Sequence, residues 1–334
     1  MKILLTTGIY PPAIGGPALY VKNLEEVWRK EGHKVRVLYY ELEKKLPTGI
    51  RHLLFFFRTI LVLPRVDFVL ALDTFSVGLP ATLAARLFGK KIMIRTGGDF
   101  LWEGYIERTN DLVLLKDFYG TRRDRFSLKE KIIFKLTKWT LQNTSAVVFS
   151  TSWQRGIFKE AYELSDARLF IIENYYGPKV AGMLPTRKNF IAATRSLKWK
   201  NVALLEKAFE KAKETNPELI LDLEEKCHED FMQEIKSAYA VILVSLGDIS
   251  PNMVLEALRF NKPVILTKET GLFEKLKDAV TFVDPEDSAA ITEAILSLCD
   301  KETYEEAVRK AESFWFVHDW KEISEEYIAL ANTL

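Results

Sequence analysis

Two carboxylates and two cations in this chain lie just beyond the ends of strand patterns, where an open α/β sheet places its ligands. Asp248 lies just before a turn marked by Pro251 and Asn252, and Glu256 follows eight positions later, one turn into the helical pattern that begins at Met253. The apolar run 240–244 before them reads as a parallel strand buried on both faces. A strand feeding such a turn leaves the first N–H groups of the helix, at Asn252 and Met253, facing the carboxyl ends of the strands, which favours an anion such as a diphosphate. A second strand pattern, 189–193, leads to Arg195 and Lys200. Two fixed cations at a strand end suit a diphosphate leaving group, because negative charge grows on it as the bond breaks. Arg can in addition bind oxygens in a bidentate way.

Two further loops sit at strand ends. The first strand, 2–7, runs into IYPPAIGG at 9–16, and Pro17 suits the first position of a helix. Gly15 and Gly16 lack Cβ atoms and permit close backbone approach to a ligand, so this is a second place for an anion. The spacing does not match G-x-G-x-x-G, so no dinucleotide fingerprint is present. After a strand at 91–95 comes Gly98-Asp99. Asp99 could meet a substrate at this strand end, or it could close a structural turn.

The elements that must position these residues alternate along the chain. Strands are expected at 35–40, 66–72, 146–150 and 169–172, with helices at 77–88 and from 127 to about 142, the latter opened by Ser127 and Glu130 at capping-box spacing. Gly177, Pro178, Gly182 and Pro185 then crowd into a surface connection. Beyond it the pattern resumes, with strands at 219–223, 263–266 and 280–283 between helices and a last helix from about 319 to 334. Such alternation predicts an α/β protein with doubly wound parallel sheets.

At 334 residues the chain is too long for one ordinary core, and two domains are expected. A net charge of +1 gives no global electrostatic case for nucleic acid. The two cysteines, Cys227 and Cys299, show no pairing or zinc spacing, and a reducing cytoplasmic setting fits them. MKILLTTG reads as a strand running into a glycine loop rather than as a signal peptide. The four histidines are scattered outside the loops described above and no Asp-x-Asp pair occurs, which leaves a catalytic metal or a Ser-His-Asp hydrolase unsupported. The greasiest stretch, 53–63, is interrupted by Arg58 and falls short of the ~20 residues that span a bilayer. A helix packed on the sheet is the favoured reading there, and shallow membrane contact is the alternative. The basic run 122–138 could likewise present a solvated face or meet anionic lipid at the inner face of a membrane.

The run from Asp248 through Glu256-Ala257 to Pro263-Val264 resembles the nucleotide-sugar site of retaining glycosyltransferases of family 4, with Asp248 where the family has Glu. Arg195 and Lys200 reproduce the five-residue step of that family's Gly-Arg and Lys, with Thr194 in place of Gly. Gly98-Asp99 stands where family members often carry His-Asp, which implies that Asp99 orients an acceptor or sugar hydroxyl, with a structural turn as the alternative. The resemblance covers nearly the whole chain. It implies a GT-B fold: two Rossmann-like domains facing a cleft, an N-terminal acceptor domain at 1–176, a linker at 177–188, a nucleotide-sugar domain at 189–317, and a helix at 318–334 that returns to the first domain. The second domain is expected to be shortened by a strand and loop that normally help hold the base.

What the resemblance implies about function is metal-independent transfer of a sugar, with retention, from a nucleoside-diphosphate sugar to a hydroxyl acceptor, which could be a glycan, a lipid-linked or a small-molecule acceptor. Glu256 would accept hydrogen bonds from the ribose, Asp248 would hold a sugar hydroxyl, and no cofactor beyond the donor substrate is needed. Two other readings fit the same residues. One is a catalytically silent GT-B protein that binds a sugar nucleotide or a partner enzyme. The other is a GT-B epimerase or phosphorylase.

Overall fold

The computed structural model describes residues 1–13, 15–192, 197–224, 226 and 228–334. The chain divides into two compact units, Met1–Leu101 with Arg122–Tyr175 and His318–Leu334, and Trp102–Thr121 with Tyr176–Val317. Each is built on one parallel sheet.

The first unit carries β1 (Lys2–Thr7), β2 (Lys34–Tyr39), β3 (Phe68–Ala71), β4 (Lys91–Arg95), β5 (Ala146–Phe149) and β6 (Leu169–Ile171) in the order β2-β1-β3-β4-β5-β6. Its central strands are uniformly apolar because helices cover both faces: every residue of β3 and β5 is buried. On one side the helix Gly16–Lys30 turns Val21, Leu24 and Trp28 inward against the sheet. The last helix, Trp320–Thr333, packs beside it through Ile323, Tyr327 and Leu330. Trp28 meets Phe68 and Tyr327 edge-on, each with centroids 6.1 Å apart, and each such aromatic pair adds about 1 kcal/mol to its area burial. The capping box expected at Ser127 is present: its hydroxyl oxygen accepts from the Glu130 N–H, and the Glu130 carboxylate accepts from the Ser127 N–H, at the head of the helix Leu128–Asn143.

The second unit carries β7 (Asn189–Ile191), β8 (Ile220–Asp222), β9 (Ala240–Leu243), β10 (Val264–Thr267) and β11 (Thr281–Val283) in the order β11-β10-β9-β7-β8. Here too β9 and β10 are buried throughout. Residues 177–188 run along the surface of this unit, but they are tied down rather than loose. Val180 donates its N–H to Arg259 O at 2.8 Å and Met183 to Lys236 O at 2.8 Å. The Lys179 ammonium donates to Leu258 O and Ala311 O, both at 2.6 Å. It thereby satisfies carbonyls near the C-termini of two helices, where positive charge is favoured, and burial lowers its pKa to about 8.

Residues 102–121 depart from the sequence reading, which leaves them within the domain 1–176. They cluster with the second unit. Trp102 and Leu115 close over Gly247, so tightly that a Cβ placed there would lie 2.5 Å from Leu115 Cβ and 3.2 Å from Trp102 Cη2. Gly247→Ala should therefore destabilise this packing by about 1–3 kcal/mol, seen as a lowered thermal midpoint against the parent. An unchanged midpoint would show that 102–121 does not pack here.

Candidate functional site

In the second unit the chain leaves β7 for β8 on one side, and the next crossover, from β8, passes back over β7 to β9 on the other. The gap between the loops that follow β7 and β9 is the topological switch point, where ligands enter open α/β sheets. Lys200 and Asp248 come from those two loops and meet across the gap. Their Nζ and Oδ2 atoms are 2.7 Å apart, with the side chains only 15% and 12% exposed. The Ser245 hydroxyl donates to the same carboxylate oxygen at 3.3 Å, and the Lys200 ammonium lies 4.2 Å from the centroid of the Trp199 ring.

The backbone fixes these positions. Lys198–Lys200 forms one 3₁₀ turn, ended by Asn201 at φ 60. Asn tolerates this left-handed conformation better than most residues. Its side-chain amide donates to Val244 O at 3.2 Å and Pro285 O at 2.7 Å, locking the β7 loop to the end of β9. On the Asp248 side, its N–H donates to Glu269 O at 2.9 Å and its carbonyl accepts from the Gly271 N–H at 3.1 Å. This parallel bridge to Thr270 extends pairing beyond the ends of β9 and β10.

The helix Asn252–Arg259 starts directly after this loop. No side chain caps it and its first turn has no acidic residue, so the positive end of the helix is left to an outside partner. Asn252 is exposed and Met253 half-buried, while Val254, Leu255, Ala257 and Leu258 pack into the core. Glu256 stays half-buried with no hydrogen-bond or ion-pair partner among the described residues. Burial pushes its pKa up to about 7, opposed only by the charge of Arg259.

Sequence reasoning missed what surrounds these residues. Segment 102–121 touches all three loops. Leu115 donates its N–H to Leu246 O at 3.2 Å in the β9 loop. Lys116 pairs with buried Glu269 in the β10 loop, a contact that raises the Lys116 pKa. In the β7 loop the Lys198 N–H donates to the Glu107 carboxylate at 2.7 Å, and Trp102 lies against Trp199 with centroids 5.4 Å apart. Nothing in the spacing of 102–121 signals which sheet it covers.

Arg195, with Thr194, lies outside the described residues. Gly15, Gly16 and Asp99 belong to the first unit. Gly15 adopts φ 147 and heads the helix Gly16–Lys30, where both glycines are exposed and no side chain caps the start. Asp99 is buried and accepts the Leu101 N–H at 3.2 Å, at the head of the helix Phe100–Thr109. That contact agrees with the structural-turn alternative. Arg95, the last residue of β4, was also missed. It is buried, lies 3.9 Å over the Tyr20 ring and donates to Asn174 Oδ1 at 2.5 Å. A charge at the buried end of β4, after the apolar Ile92-Met93-Ile94, was its only signal. Among the described residues no group of three His, Cys, Asp or Glu side chains converges as a metal site.

No protein-family model matches the chain, and no curated protein matches its sequence. Solved structures do match over its full length. Anabaena HepE, in complex with UDP-glucose, superposes with a TM-score of 0.67 at 13% identity, covering 100% of both chains. Sucrose-phosphate synthase from Thermosynechococcus elongatus gives 0.72 at 12% identity over 99% of this chain and 98% of its own. The fold is GT-B. A protein provisionally designated a UDP-N-acetylglucosamine 2-epimerase, from Listeria monocytogenes, shares the architecture at a TM-score of 0.61 and 13% identity, over 99% and 96% of the two chains. The GT-B fold thus includes more than one chemistry.

The unpartnered carboxyl makes this unit sensitive to pH. Because the folded pKa of Glu256 is raised, its neutral form is the one that folding favours. The associated stability is complete below the unfolded pKa, near 4.5, and is lost as pH rises toward about 7. The loss amounts to about 3 kcal/mol. Glu256→Gln should therefore match the parent in thermal unfolding near pH 4.5 and exceed it at pH 8. A difference between the two that stays constant with pH would refute the buried, unpaired placement.

Proposed function

We propose that the protein transfers a sugar from a nucleoside-diphosphate sugar to a hydroxyl acceptor. The observation that carries this reading is the Lys200–Asp248 pair across the switch point, beside an uncapped helix start whose helix also presents Glu256, a carboxyl without a partner among the described residues. HepE was solved with UDP-glucose, which supports a nucleotide-sugar donor for the same fold.

In this reading the diphosphate lies against the N–H groups of Asn252 and Met253, with Lys200 and Arg195 neutralising it. Preorganised cations do most where charge develops, on the departing phosphate oxygen. Glu256 accepts from the ribose hydroxyls. Asp248, one bond shorter than Glu, holds a sugar hydroxyl and orients Lys200. The acceptor hydroxyl attacks on the face from which the diphosphate leaves: its oxygen bonds to the anomeric carbon, the carbon–oxygen bond to phosphate breaks, and the proton passes to a phosphate oxygen. Configuration is retained and no dedicated base is required. In the first unit, Gly15 and Gly16 offer a second uncapped helix start where an anion could be held, and Asp99 could orient a hydroxyl within that unit.

Hydroxyl donors to Glu256 favour its charged form, so donor binding should lower its pKa. Nucleoside-diphosphate affinity measured by calorimetry should accordingly rise as pH increases toward about 7, and Glu256→Gln should flatten that dependence. Lys200→Met and Arg195→Ala should each reduce turnover by about 10²-fold, followed as release of nucleoside diphosphate in the presence of acceptor. Binding without turnover would assign a silent sugar-nucleotide-binding protein. Interconversion of the sugar nucleotide with no acceptor would assign an epimerase. No stabilisation by any nucleoside diphosphate or sugar conjugate would refute the donor site altogether.

A further inference from the structure

The first unit exposes apolar side chains where a soluble helix normally carries polar ones. On the helix Thr48–Val62 the exposed residues Ile50, Leu53, Phe57 and Leu61 are 55%, 56%, 53% and 75% accessible. Their spacing puts them on one face, opposite the buried Phe55, Thr59 and Val62. The neighbouring helix Gly78–Leu87 adds Leu83 and Leu87, 43% and 68% exposed. Beside that lies the helix Leu128–Asn143, held to it by Arg86 donating to Asn143 Oδ1 at 2.7 Å. It adds Leu128 and Ile132, at 76% and 49%. These helices connect β2 to β3, β3 to β4 and β4 to β5, steps that all advance the same way across the sheet. Right-handed crossovers therefore place them side by side on one face of it, and their outer sides form one surface.

The charge on that surface has one sign. No Asp or Glu occurs between Glu43 and Asp67, between Asp73 and Asp99, or between Glu130 and Glu160. The one carboxylate within the three helices, Glu130, is buried in its capping box. Lys131 and Lys135 share a helix face with Leu128 and Ile132, and both are exposed with no carboxylate partner among the described residues. Among those residues no helix is long and apolar enough to cross a membrane.

We infer that this three-helix face docks on an anionic phospholipid surface, with the apolar stripe of the helix Thr48–Val62 entering the headgroup boundary and the lysines meeting lipid phosphates. Apolar side chains flanked by cations are what such a boundary accepts, and juxtaposed lysines are attracted by its negative potential. A second copy of the chain suits the face less well. A two-fold contact would set lysines against lysines with no exposed carboxylate on the helices to receive them. The inference is independent of the nucleotide-sugar reading, because no residue assigned to the donor site lies on these helices.

The test is co-sedimentation of the full chain with vesicles of phosphatidylcholine alone and with about one third phosphatidylglycerol. Binding is expected to the anionic vesicles and to weaken with added salt. Phe57→Ser with Leu61→Ser, and separately Lys131→Glu with Lys135→Glu, should each reduce the partition coefficient by about tenfold. These side chains are exposed, so the variants should keep the parent's thermal midpoint and any stabilisation by nucleotide. No binding to anionic vesicles, or equal binding by the variants, would overturn the inference. Concentration-dependent dimerisation lost in the same variants, without vesicle binding, would overturn it in favour of a second copy.

Discussion

The ion pair between Lys200 and Asp248 governs the functional edge of the second unit. Parallel strands with right-handed crossovers bring every loop after a strand to one edge of the sheet, and where the crossovers diverge, between β7 and β9, the Leu246 N–H donates to Trp199 O at 2.9 Å between the two loops. The pair spans that gap. Both side chains are largely buried, and an uncompensated buried charge is costly, so each holds the other in place. Asn201 below the pair and the Asp248–Thr270 bridge beside it give the same loops a fixed backbone.

Segment 102–121 completes this edge from elsewhere in the chain. It touches each loop: Glu107 meets Lys198, Leu115 meets Leu246, and Lys116 meets Glu269. Gly247 lets the segment approach, since any side chain there would displace Leu115. Glu256 has no such partner among the described residues, and its raised pKa records the cost of burying an acid there, eased only in part by the charge of Arg259. Satisfied loops thus stand beside one helix carboxyl without a partner among the described residues.

The first unit divides its sheet differently. One face is closed by the helices Gly16–Lys30 and Trp320–Thr333, whose aromatic side chains interlock around Trp28 and Tyr327. The other is covered by three helices whose inner sides are core and whose outer sides are also apolar, with lysines and no exposed carboxylate. Burial alone does not select such an outer surface, because it lowers solubility without adding to the core.

Local patterns in the sequence determined a good deal. The apolar runs of β3, β5, β9 and β10 announce strands buried on both faces, since such runs carry no polar side for solvent. The Ser127 and Glu130 spacing announces a helix start, because the capping box is made within four residues. From these, two doubly wound sheets follow. The pairing of Lys200 with Asp248 did not follow, because the two residues are brought together only by the strand order β9-β7-β8 and not by anything near either of them. The packing of 102–121 over the second sheet was equally hidden, since its Trp, Leu and Lys residues suit any interior. Asp99 could be weighed only by its neighbours in space, and there the Leu101 N–H occupies it. The sequence settles what each segment is, because secondary structure depends on contacts within a few residues. Which segments meet, and which carboxyl is left without a partner, only the tertiary structure decides, because those outcomes depend on residues tens to hundreds of positions apart.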